Sequence, residues 1–460
     1  MDKNQIIEKV INPIEKNGFH AYFVGGCVRD KLMKVEPHDY DICTDAIPAQ
    51  LHKIFERFSN TSNNSEPFGV TMPLIDINGK TEEFEIATMR RDITKGRHPK
   101  IEFTTDIKED AMRRDFTVNA LYENKHGEII DPTKLGVKDI NKNLLRFVGD
   151  AWERVEEDPL RLWRYVRFIS QKGFKPCDDK IATYLSSMIR EVGAENLFGE
   201  ISKERQLKEL VGIFGGKNLN REIISLMDLF GISYHIGLSE FMYDMYSCEQ
   251  SAKWHKEGNV FNHTMLVLEN MVSQEHDWLD VLAAILHDVG KPEAGRRNGL
   301  KNGVPCVHGH DVIGAPIAYD FCKNLGMKNE DCEMIRWLVE NHMLAHRISE
   351  TKSKYKVWKL VSHKWFDRLL KLSNADSKGS IHDVPDELPD LCEFVKEPWV
   401  ASLIGKPMPK PIVTGVDLMA LEIKPNKNFA KALETGYKMQ IDNNTPKKEI
   451  ISNIANLAKE

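Results

Sequence analysis

The chain has 460 residues and a formal net charge of −6, from 63 lysines and arginines against 69 aspartates and glutamates. Its hydrophobic fraction of 41% and charged fraction of 29% are typical of globular proteins, which excludes a disordered chain, a collagen-like chain and a small disulfide scaffold. The length suggests roughly three domains. None of the eight cysteines forms a CxxC pair, so a thiolate zinc site is not expected.

The sequence predicts neither a membrane-spanning segment nor a signal peptide for secretion. No apolar run approaches the roughly 20 residues that a membrane span needs. The first ten residues carry acids and amides where a signal peptide has an apolar core. We therefore expect a cytoplasmic protein with free thiols and no membrane partner. The net acidic charge excludes a histone-like DNA wrapper, although a local basic groove for nucleic acid remains compatible with it.

The elements in chain order predict a mixed head followed by helices. An amphipathic helix stopped by Gly18 precedes a strand at Ala21–Val24, and further strands are predicted at 38–43, 68–77 and 83–89. Later segments have helical periodicity, and most of the 16 histidines fall in the second half. The predicted domains are a small α/β or α+β head at 1–145, a helical neck and body at 146–250, a helical histidine-rich domain at 251–385, and a linker with a helical tail at 386–460.

A Gly25-Gly26 turn opens the first candidate site. Two glycines after a strand let the backbone approach a triphosphate closely, and Arg29 adds positive charge, although an ordinary strand-to-helix turn explains the same residues. Asp39 and Asp41 alternate on the predicted second strand, so both carboxylates face one side, where they are able to hold two Mg²⁺ ions. Glu85, on a later strand, is a candidate third ligand.

An arginine-rich segment at 113–120 completes the head. Its Arg114 is placed to reach phosphates, while Asp115 and Asn119 are placed to brace the site through hydrogen bonds. The structural alternative is a helix N-terminus with charged flanks. The three motifs GGxVRD, DxD and RRDxTxNA resemble those of the class II tRNA nucleotidyltransferases, which include CCA-adding enzymes and bacterial poly(A) polymerases. The resemblance implies a polymerase-β-like head.

A predicted helix at 157–168 carries the candidate base-reading residues. Asp158 and Arg161 are i, i+3 neighbours, as are Arg161 and Arg164, and a carboxylate beside a guanidinium matches the hydrogen-bonding edges of C and A. Arg167 lies on the far side, towards phosphate, RNA or a structural acid. A plain salt-bridged helix, with Glu157 paired to Arg161, is the alternative.

This helix resembles the family motif EDxxRxxRF. The resemblance implies that Asp158 and Arg161 select the base, and that Arg164 and Arg167 contact the nucleotide or its phosphates. The loop from Arg91 to Pro99 resembles the flexible loop that CCA-adding enzymes need for switching from C to A. No GRRFRL-like segment, which bacterial poly(A) polymerases show, follows the DxD, and this favours CCA addition.

The second half contains a candidate metal centre. Its residues come from distant segments, as expected for helices that converge on one ion, and imidazole with carboxylate ligands suits Ni²⁺, Mn²⁺ or Co²⁺. The candidate ligands are His263, His287, Asp288, His310, His342 and Asp376. This pattern resembles the HD phosphohydrolase domain of multifunctional CCA proteins, which implies phosphatase, 2′-nucleotidase and 2′,3′-cyclic phosphodiesterase activity.

The sequence therefore predicts a multi-domain α/β and all-α enzyme that adds C, C and A to tRNA from CTP and ATP. Its partners would be tRNA and the two nucleotides, not DNA, and it would act as a monomer or homodimer. Two alternatives stay open at this level. One is a poly(A) polymerase or an enzyme that adds only A or only CC. The other is an RNA-binding phosphohydrolase whose head is a relic.

Overall fold

The computed structural model of the chain describes residues 3–60, 65–94, 100–382 and 391–459. The chain divides into two compact units, one up to Ser239 and one from Glu240 onwards. The division into four domains, with boundaries near residues 145, 250 and 385, stays a prediction.

A six-stranded mixed sheet is the centre of the first unit. The six strands, in chain order, are β1 Ala21–Val24, β2 Ile42–Thr44, β3 Val70–Thr71, β6 Ile86–Thr88, β9 Tyr122–Glu123 and β10 Ile129–Ile130. Their order in the sheet is β10-β9-β1-β2-β6-β3. β2 and β6 run parallel with Ile42 opposite Ile86, and every other neighbouring pair is antiparallel.

Four two-stranded ribbons accompany this sheet. Three lie in the first unit, and the fourth lies in the second unit. Only the β11–β12 ribbon is parallel. The ribbons are β4 Leu74–Ile77 with β5 Lys80–Glu83, β7 Arg90–Asp92 with β8 Ile101–Phe103, β11 Leu144–Leu145 with β12 Lys175–Pro176, and β13 Leu300–Lys301 with β14 Val304–Pro305.

Helices make up most of the remaining first unit. They pack an aromatic core in which Trp163 and Tyr165 are fully buried. Their bounds are Lys3–Ile6, a π-helical Ile7–Ile11, Asn12–Lys16, Gly26–Leu32, Pro48–Ile54, a 3₁₀ turn Glu66–Phe68, Ile107–Met112, a 3₁₀ turn Thr117–Asn119, Gly136–Asn141, Ala151–Glu157, Leu160–Lys172, Ile181–Val192, Ala194–Phe198, Lys203–Phe214, Arg221–Leu229 and Ile232–His235.

The second unit is almost entirely helical. The helix Leu238–Tyr246 begins at the division between the units. The further helices are Val260–Val272, Trp278–Leu286, Lys291–Asn298, His310–Asn324, Asn329–Arg347, a 3₁₀ turn Ile348–Glu350, Lys354–Val361, Phe366–Gly379, Leu391–Phe394, Pro398–Ala401, Gly415–Met419, Phe429–Asn443 and Lys447–Lys459.

The predicted fold class is confirmed: a small mixed sheet with helices is followed by a helical body. The bounds of three predicted segments differ from those in the structure, and a proline is involved in two of the three. The predicted strand at 38–43 begins only at Ile42. The predicted strand at 68–77 is interrupted by Pro73, which has no N–H for a sheet ladder. The predicted linker after 398 contains a short helix that uses Pro398 in its first turn.

The predicted helix at 157–168 is two helices. The first ends at Glu157 and the second begins at Leu160. Asp158 lies between them with an extended backbone, φ −148° and ψ 101°, because a residue before proline is disfavoured in the helical region. Asp158 and Arg161 are therefore not neighbours on one helix face as the i, i+3 argument assumed.

Candidate functional site

The Gly25-Gly26 turn has a backbone conformation that requires glycine at its first position. Gly25 connects β1 to the helix Gly26–Leu32 and has φ 72°, a conformation that favours glycine. A Cβ atom at Gly25 would lie 3.6 Å from Nη1 of Arg114, and one at Gly26 would lie 3.7 Å from Nη2 of Arg29. The turn therefore brings the backbone close to two guanidinium groups.

Three carboxylates lie beside this turn, close enough for their charges to interact, although their oxygens do not all lie within 4.8 Å of one another. The Asp41 carbonyl accepts a hydrogen bond from Val24 N, 3.0 Å, and Ile42 N donates to the Glu85 carbonyl, 3.2 Å, so Asp41 and Glu85 precede the parallel pair β2 and β6 in register. Burial and the charges of Glu85 and Asp39 raise the pKa of Asp41 to about 6. Partial desolvation and Asp39 likewise raise the pKa of Glu85.

This arrangement fits a hard divalent cation. Asp39 and Glu85 are exposed and Asp41 is half-buried, so their oxygens are accessible, and oxygen donors are those that Mg²⁺ prefers. The mutual repulsion that raises two of the pKa values would be relieved by a bound cation. The reason for the convergence is the sheet register and not, as predicted, alternation along one strand, because Asp39 and Asp41 precede β2.

A chain of hydrogen bonds ties Arg29 to the neck. Arg29 Nη1 donates to Asn119 Oδ1 at 2.6 Å, and Asn119 Nδ2 donates to Asp115 Oδ1 at 3.0 Å. Asp115 Oδ2 in turn accepts from Arg164 Nε at 2.8 Å. Despite burial, the Arg164 charge and the Asn119 hydrogen bond lower the pKa of Asp115 to about 2. Arg29 and Arg164 are therefore fixed by one buried network.

Arg114 is held by a buried acid that the sequence analysis did not single out. Its Nη2 lies 2.9 Å from Asp110 Oδ2, and its Nε donates to Tyr122 Oη at 3.1 Å. Arg113 binds the other oxygen of Asp110. The i, i+3 and i, i+4 spacing from Asp110 to the two arginines was the available signal. The Nη2 and Nε atoms of Arg114 are therefore bound to Asp110 and Tyr122, while its Nη1 lies near Gly25.

The predicted base-reading residues each have an internal partner. Arg161 Nη1 donates to Glu157 Oε2 at 2.6 Å, and its Nη2 donates to the Arg113 carbonyl at 2.8 Å. Asp158 Oδ2 accepts from Arg205 Nη2 at 2.9 Å, while its Oδ1 accepts from Leu160 N at 3.2 Å. Asp158, together with Glu157 and Arg205, lines a surface cavity of about 560 Å³.

Arg167 faces a structural acid. Its Nε lies 3.1 Å from Oε2 of Glu209, which is buried on the helix Lys203–Phe214. A structural acid was one of three destinations that helix geometry left open for Arg167. The C-to-A switching loop falls partly at 95–99, outside the described residues. Of its flanks, Arg91 is exposed and pairs with Glu102 and Glu109.

The second unit brings its six predicted ligands to one buried centre. His263 comes from Val260–Val272, and His287 and Asp288 directly follow the fully buried helix Trp278–Leu286. His310 begins one helix, and His342 and Asp376 lie on two more. All six are at most 6% exposed. Five of them, all except His287, line a cavity of about 450 Å³.

Three of these histidines are fixed in the same tautomer. His287, His310 and His342 each have Nδ1 within 2.7–2.9 Å of the carbonyl three residues earlier, so Nδ1 carries the proton and donates it. When such a ring is neutral, its Nε2 keeps a lone pair for a metal ion. The Nε2 atoms of His310 and His342 are only 3.1 Å apart, an arrangement of two acceptors that a cation between them would stabilise.

Asp288 connects two groups of donors. Its Oδ2 lies 3.2 Å from His287 Nε2 and 3.6 Å from His263 Nε2. Its Oδ1 lies 3.1 Å from His310 Nε2 and 3.6 Å from His342 Nε2. Within the described ranges, three groups have donor atoms within 4.8 Å of one another, and all are in this unit. His287 Nε2 and Asp288 Oδ2 are buried without a well-aligned hydrogen bond. The donor set therefore fits one or two divalent ions.

The structure adds residues that the sequence analysis did not commit to this centre. Glu257 Oε1 lies 3.0 Å from His263 Nδ1 and 2.7 Å from His255 Nδ1. His346 Nε2 lies 2.7 Å from Asp376 Oδ2, and Lys291 Nζ lies 2.6 Å from Asp288 Oδ2. Against the effect of burial, His287 and Lys291 hold the pKa of Asp288 well below its usual range. The i, i+4 spacing of His342 and His346 was a readable signal.

Two family models match the chain. The model of the poly A polymerase head domain matches residues 21–146, and the HD domain model matches residues 260–377. The first contains the glycine turn and the three carboxylates, and the second contains the histidine centre. Among the described residues, the structure has no helix long and apolar enough to cross a membrane.

Known proteins similar to the chain include CCA-adding enzymes. The CCA-adding enzyme of Oceanobacillus iheyensis is 35% identical over 223 residues, which cover 48% of this chain and 52% of that protein. The mitochondrial CCA tRNA nucleotidyltransferase 1 of Mus musculus is 38% identical over 229 residues, 48% of this chain and 50% of that protein. The chain spans about half the length of the curated relatives it matches.

Solved structures share the fold over the whole chain. The CCA-adding enzyme of Bacillus stearothermophilus in complex with CTP has a TM-score of 0.62 at 21% identity and covers 99% of this chain and 98% of its own. The Thermotoga maritima CCA-adding enzyme complexed with tRNA has a TM-score of 0.56 at 16% identity, with coverages of 99% and 95%. At these identities the likeness establishes the fold.

Proposed function

We propose that this chain, a class II CCA-adding enzyme homologue that carries an HD domain, adds C, C and A to the 3′ end of tRNA and hydrolyses phosphoesters at a second site. The observation that carries the first activity is the electrostatic interaction of Asp39, Asp41 and Glu85 beside the Gly25 turn. The similarity to CCA-adding enzymes of two organisms supports tRNA, CTP and ATP as substrates. We infer a cytoplasmic enzyme that is a monomer or homodimer and acts on neither DNA nor membranes.

The head residues have distinct roles in nucleotide addition. The tRNA 3′ oxygen forms a bond to the α-phosphorus of the incoming nucleotide, and the bond to the β-phosphate oxygen breaks, which releases pyrophosphate. Mg²⁺ held by Asp39 and Asp41, with Glu85 as a third ligand, would lower the pKa of the attacking hydroxyl and neutralise the leaving group. Arg29 and Arg114 are positioned by buried acids and amides to bind phosphates beside Gly26.

The neck selects the nucleotide. We assign Asp158 and Arg161 to the base and Arg164 to the nucleotide or its phosphates, in keeping with the anchoring of each guanidinium by Glu157 or Asp115. An arginine that is already oriented loses less side-chain freedom on binding. Arg167, which is paired with Glu209, is assigned a supporting role in the neck.

The HD centre is assigned to phosphoester hydrolysis. A divalent ion such as Ni²⁺, Mn²⁺ or Co²⁺, held by His263, His287, Asp288 and Asp376 with His310 and His342 beside it, would supply a bound hydroxide as nucleophile. Lys291 lies at the same centre and offers a positive charge to a phosphate. A 2′,3′-cyclic phosphate is a fitting substrate, because it blocks the hydroxyl that the head must use.

A paired assay tests both activities on one preparation. We expect wild-type protein to extend tRNA that lacks its 3′ end with labelled CTP and ATP, and to open a 2′,3′-cyclic phosphate when a divalent metal is added. Asp41→Ala should abolish only the first activity, and Asp288→Ala only the second. Each variant is therefore the matched control for the other.

Other outcomes separate the alternatives. Addition of A without C, or of CC without A, would identify a partial enzyme, and long A tracts would identify a poly(A) polymerase. Hydrolysis without any nucleotide addition would identify a phosphohydrolase with a relic head. Loss of CCA addition in a well-folded Asp288→Ala protein would contradict the assignment of two separate sites.

A further inference from the structure

A second cavity of about 500 Å³ lies in the unit that begins at Glu240, and it shares no lining residue with the histidine centre. Its walls come from three helices, Asn329–Arg347, Lys354–Val361 and Phe429–Asn443. Its volume is within the range of small-molecule sites, roughly 300–1,000 Å³. The cavity uses the face of Asn329–Arg347 that carries residues 337, 341 and 344, at i, i+4 and i+7. Neither activity proposed above uses it.

Positive charge dominates the lining. Four lysines and one carboxylate, Glu434, border the cavity. Glu434 Oε1 is engaged by Lys359 Nζ at 3.3 Å and by the Tyr355 hydroxyl, which donates to it at 3.2 Å. Within the part of the chain that the structure describes, no carboxylate lies within 4.0 Å of the ammonium groups of the other three. These three, Lys356, Lys431 and Lys438, form a local cationic cluster on a chain of net charge −6.

One wall of the cavity, beside the lysines, contains two aromatic rings that stack on each other and so cover one face of each ring. The rings of Trp337 and His363 are stacked, with centroids 3.9 Å apart and planes at 8°. Both line the cavity and both are partly exposed. Aromatic side chains of this kind bind nucleobases by stacking, with a contribution of about 1–3 kcal/mol per base. An inorganic anion or an acidic peptide would use only the lysines and would leave this wall without a function.

We propose that this cavity binds a nucleotide unit, with its base against the wall formed by Trp337 and His363 and its phosphate among Lys356, Lys431 and Lys438. The ligand chemistry is a planar heterocycle joined to a phosphate. It is supplied either by a free nucleotide or by one nucleotide of an RNA strand. The proposal is for binding alone, and none of the metal-ligand groups in the described residues lines the cavity.

Photo-crosslinking of the full-length protein tests the proposal. The probe is 8-azido-AMP, and the modified peptides are identified by mass spectrometry. We expect modification within residues 329–363 or 429–443, in addition to any in the head. Competition with unlabelled AMP and, separately, with tRNA distinguishes the two sources. Competition by AMP alone indicates a free nucleotide, and competition by tRNA as well indicates an RNA strand.

Matched variants make the result specific. Lys356→Ala, Lys431→Ala and Lys438→Ala combined should reduce crosslinking at the cavity about tenfold or more, since phosphate contacts carry much of the affinity for nucleic acid. The control combines Lys424→Ala, Lys427→Ala and Lys448→Ala, three exposed lysines outside the cavity, and should leave crosslinking unchanged. Trp337→Leu alone should reduce it by about fivefold or more, the lower end of a stacking contribution.

Thermal melting checks that each variant is folded, and Lys431→Ala alone replaces the triple variant if that protein is unstable. The proposal is overturned if no cavity peptide is modified, or if the cavity and control triple variants behave alike. It is also overturned if Trp337→Leu retains wild-type crosslinking while inorganic phosphate competes as well as AMP. In that case the lysines attract any anion and no base is recognised.

Discussion

The two candidate sites use carboxylates in opposite electrostatic surroundings. In the head, burial and the charges of neighbouring acids raise the pKa values of Asp41 and Glu85, and this outweighs the nearby arginines and lysine. In the HD centre, Asp288 and Asp376 lie among imidazoles and a lysine, and their pKa values are held well below the usual range although both are buried. One site is accessible and rich in oxygen donors, whereas the other is buried and rich in nitrogen donors.

This difference indicates how each site acquires its metal. An accessible group of carboxylates binds hard cations weakly and is completed by the phosphates of an incoming nucleotide. Imidazoles held in one tautomer by backbone carbonyls form a site that exists before the ion arrives, and nitrogen donors favour transition metals. The head should therefore exchange its metal with each substrate, and the HD centre should retain its metal between reactions.

The largest expected effect is the loss of retained metal from the HD centre. We expect wild-type protein to keep a transition metal through dialysis and Asp288→Asn to lose it, because Asp288 belongs to both the group with His263 and His287 and the group with His310 and His342. The loss of affinity should exceed the roughly 10–100-fold that an outer-shell change costs. Metal content by mass spectrometry is the measurement. Asp41→Asn is the control and should retain wild-type metal, and equal loss in both variants would contradict the difference between the sites.

Many of the residues that form the two sites could be predicted from the sequence. Gly25-Gly26 is a local signal because the positive φ of Gly25 favours glycine. The His287-Asp288 pair is a local signal because two metal-ligand types are adjacent in the sequence. The partners of these residues come from long-range packing, which spacing does not reveal. Glu209 lies 42 positions from Arg167, and Arg205 lies 47 positions from Asp158. Pro159 was visible, but its effect on Asp158 was misjudged, since it divides one predicted helix into two.

The next effect concerns the choice of nucleotide, which has no counterpart in the HD centre. Asp158→Ala and Arg161→Ala should each reduce the discrimination of CTP and ATP against UTP and GTP by about 1–3 kcal/mol, the range for a side chain that reads a base edge. Single-nucleotide incorporation rates give the measurement. Arg190→Ala, an exposed arginine on another helix of the unit, is the control. Equal slowing with all four nucleotides would assign the two residues to structure or phosphate binding.

A smaller effect on metal affinity should follow from removing the hydrogen-bond acceptor of one ligand of the HD centre, His263. Glu257→Ala removes the acceptor of the His263 Nδ1 proton and should weaken retained metal by about 10–100-fold. Glu257→Gln keeps an oxygen acceptor without the charge and should be intermediate. Titration of metal-free protein with Mn²⁺ measures this change apart from activity. Glu275→Ala, at an exposed position, is the control. Wild-type affinity in Glu257→Ala would show that His263 needs no such support.

The smallest effect is expected at Arg205, which positions Asp158 and is the neck's counterpart of Glu257. The two side chains are 30% and 29% exposed, and exposed ion pairs contribute at most about 1 kcal/mol. Asp158 also keeps its second anchor, the Leu160 N–H at 3.2 Å, so Arg205→Ala should reduce nucleotide discrimination by less than Asp158→Ala does. Arg205→Lys should restore part of the lost discrimination, because one donor is enough for Asp158 Oδ2.

Incorporation rates over a range of CTP and UTP concentrations separate kcat from KM. A positioning role predicts that the change appears as a higher KM for CTP and not as a uniformly lower kcat. If Arg205→Ala instead matches Asp158→Ala in full, Arg205 itself contacts the base, and the reading pair extends to the helix Lys203–Phe214.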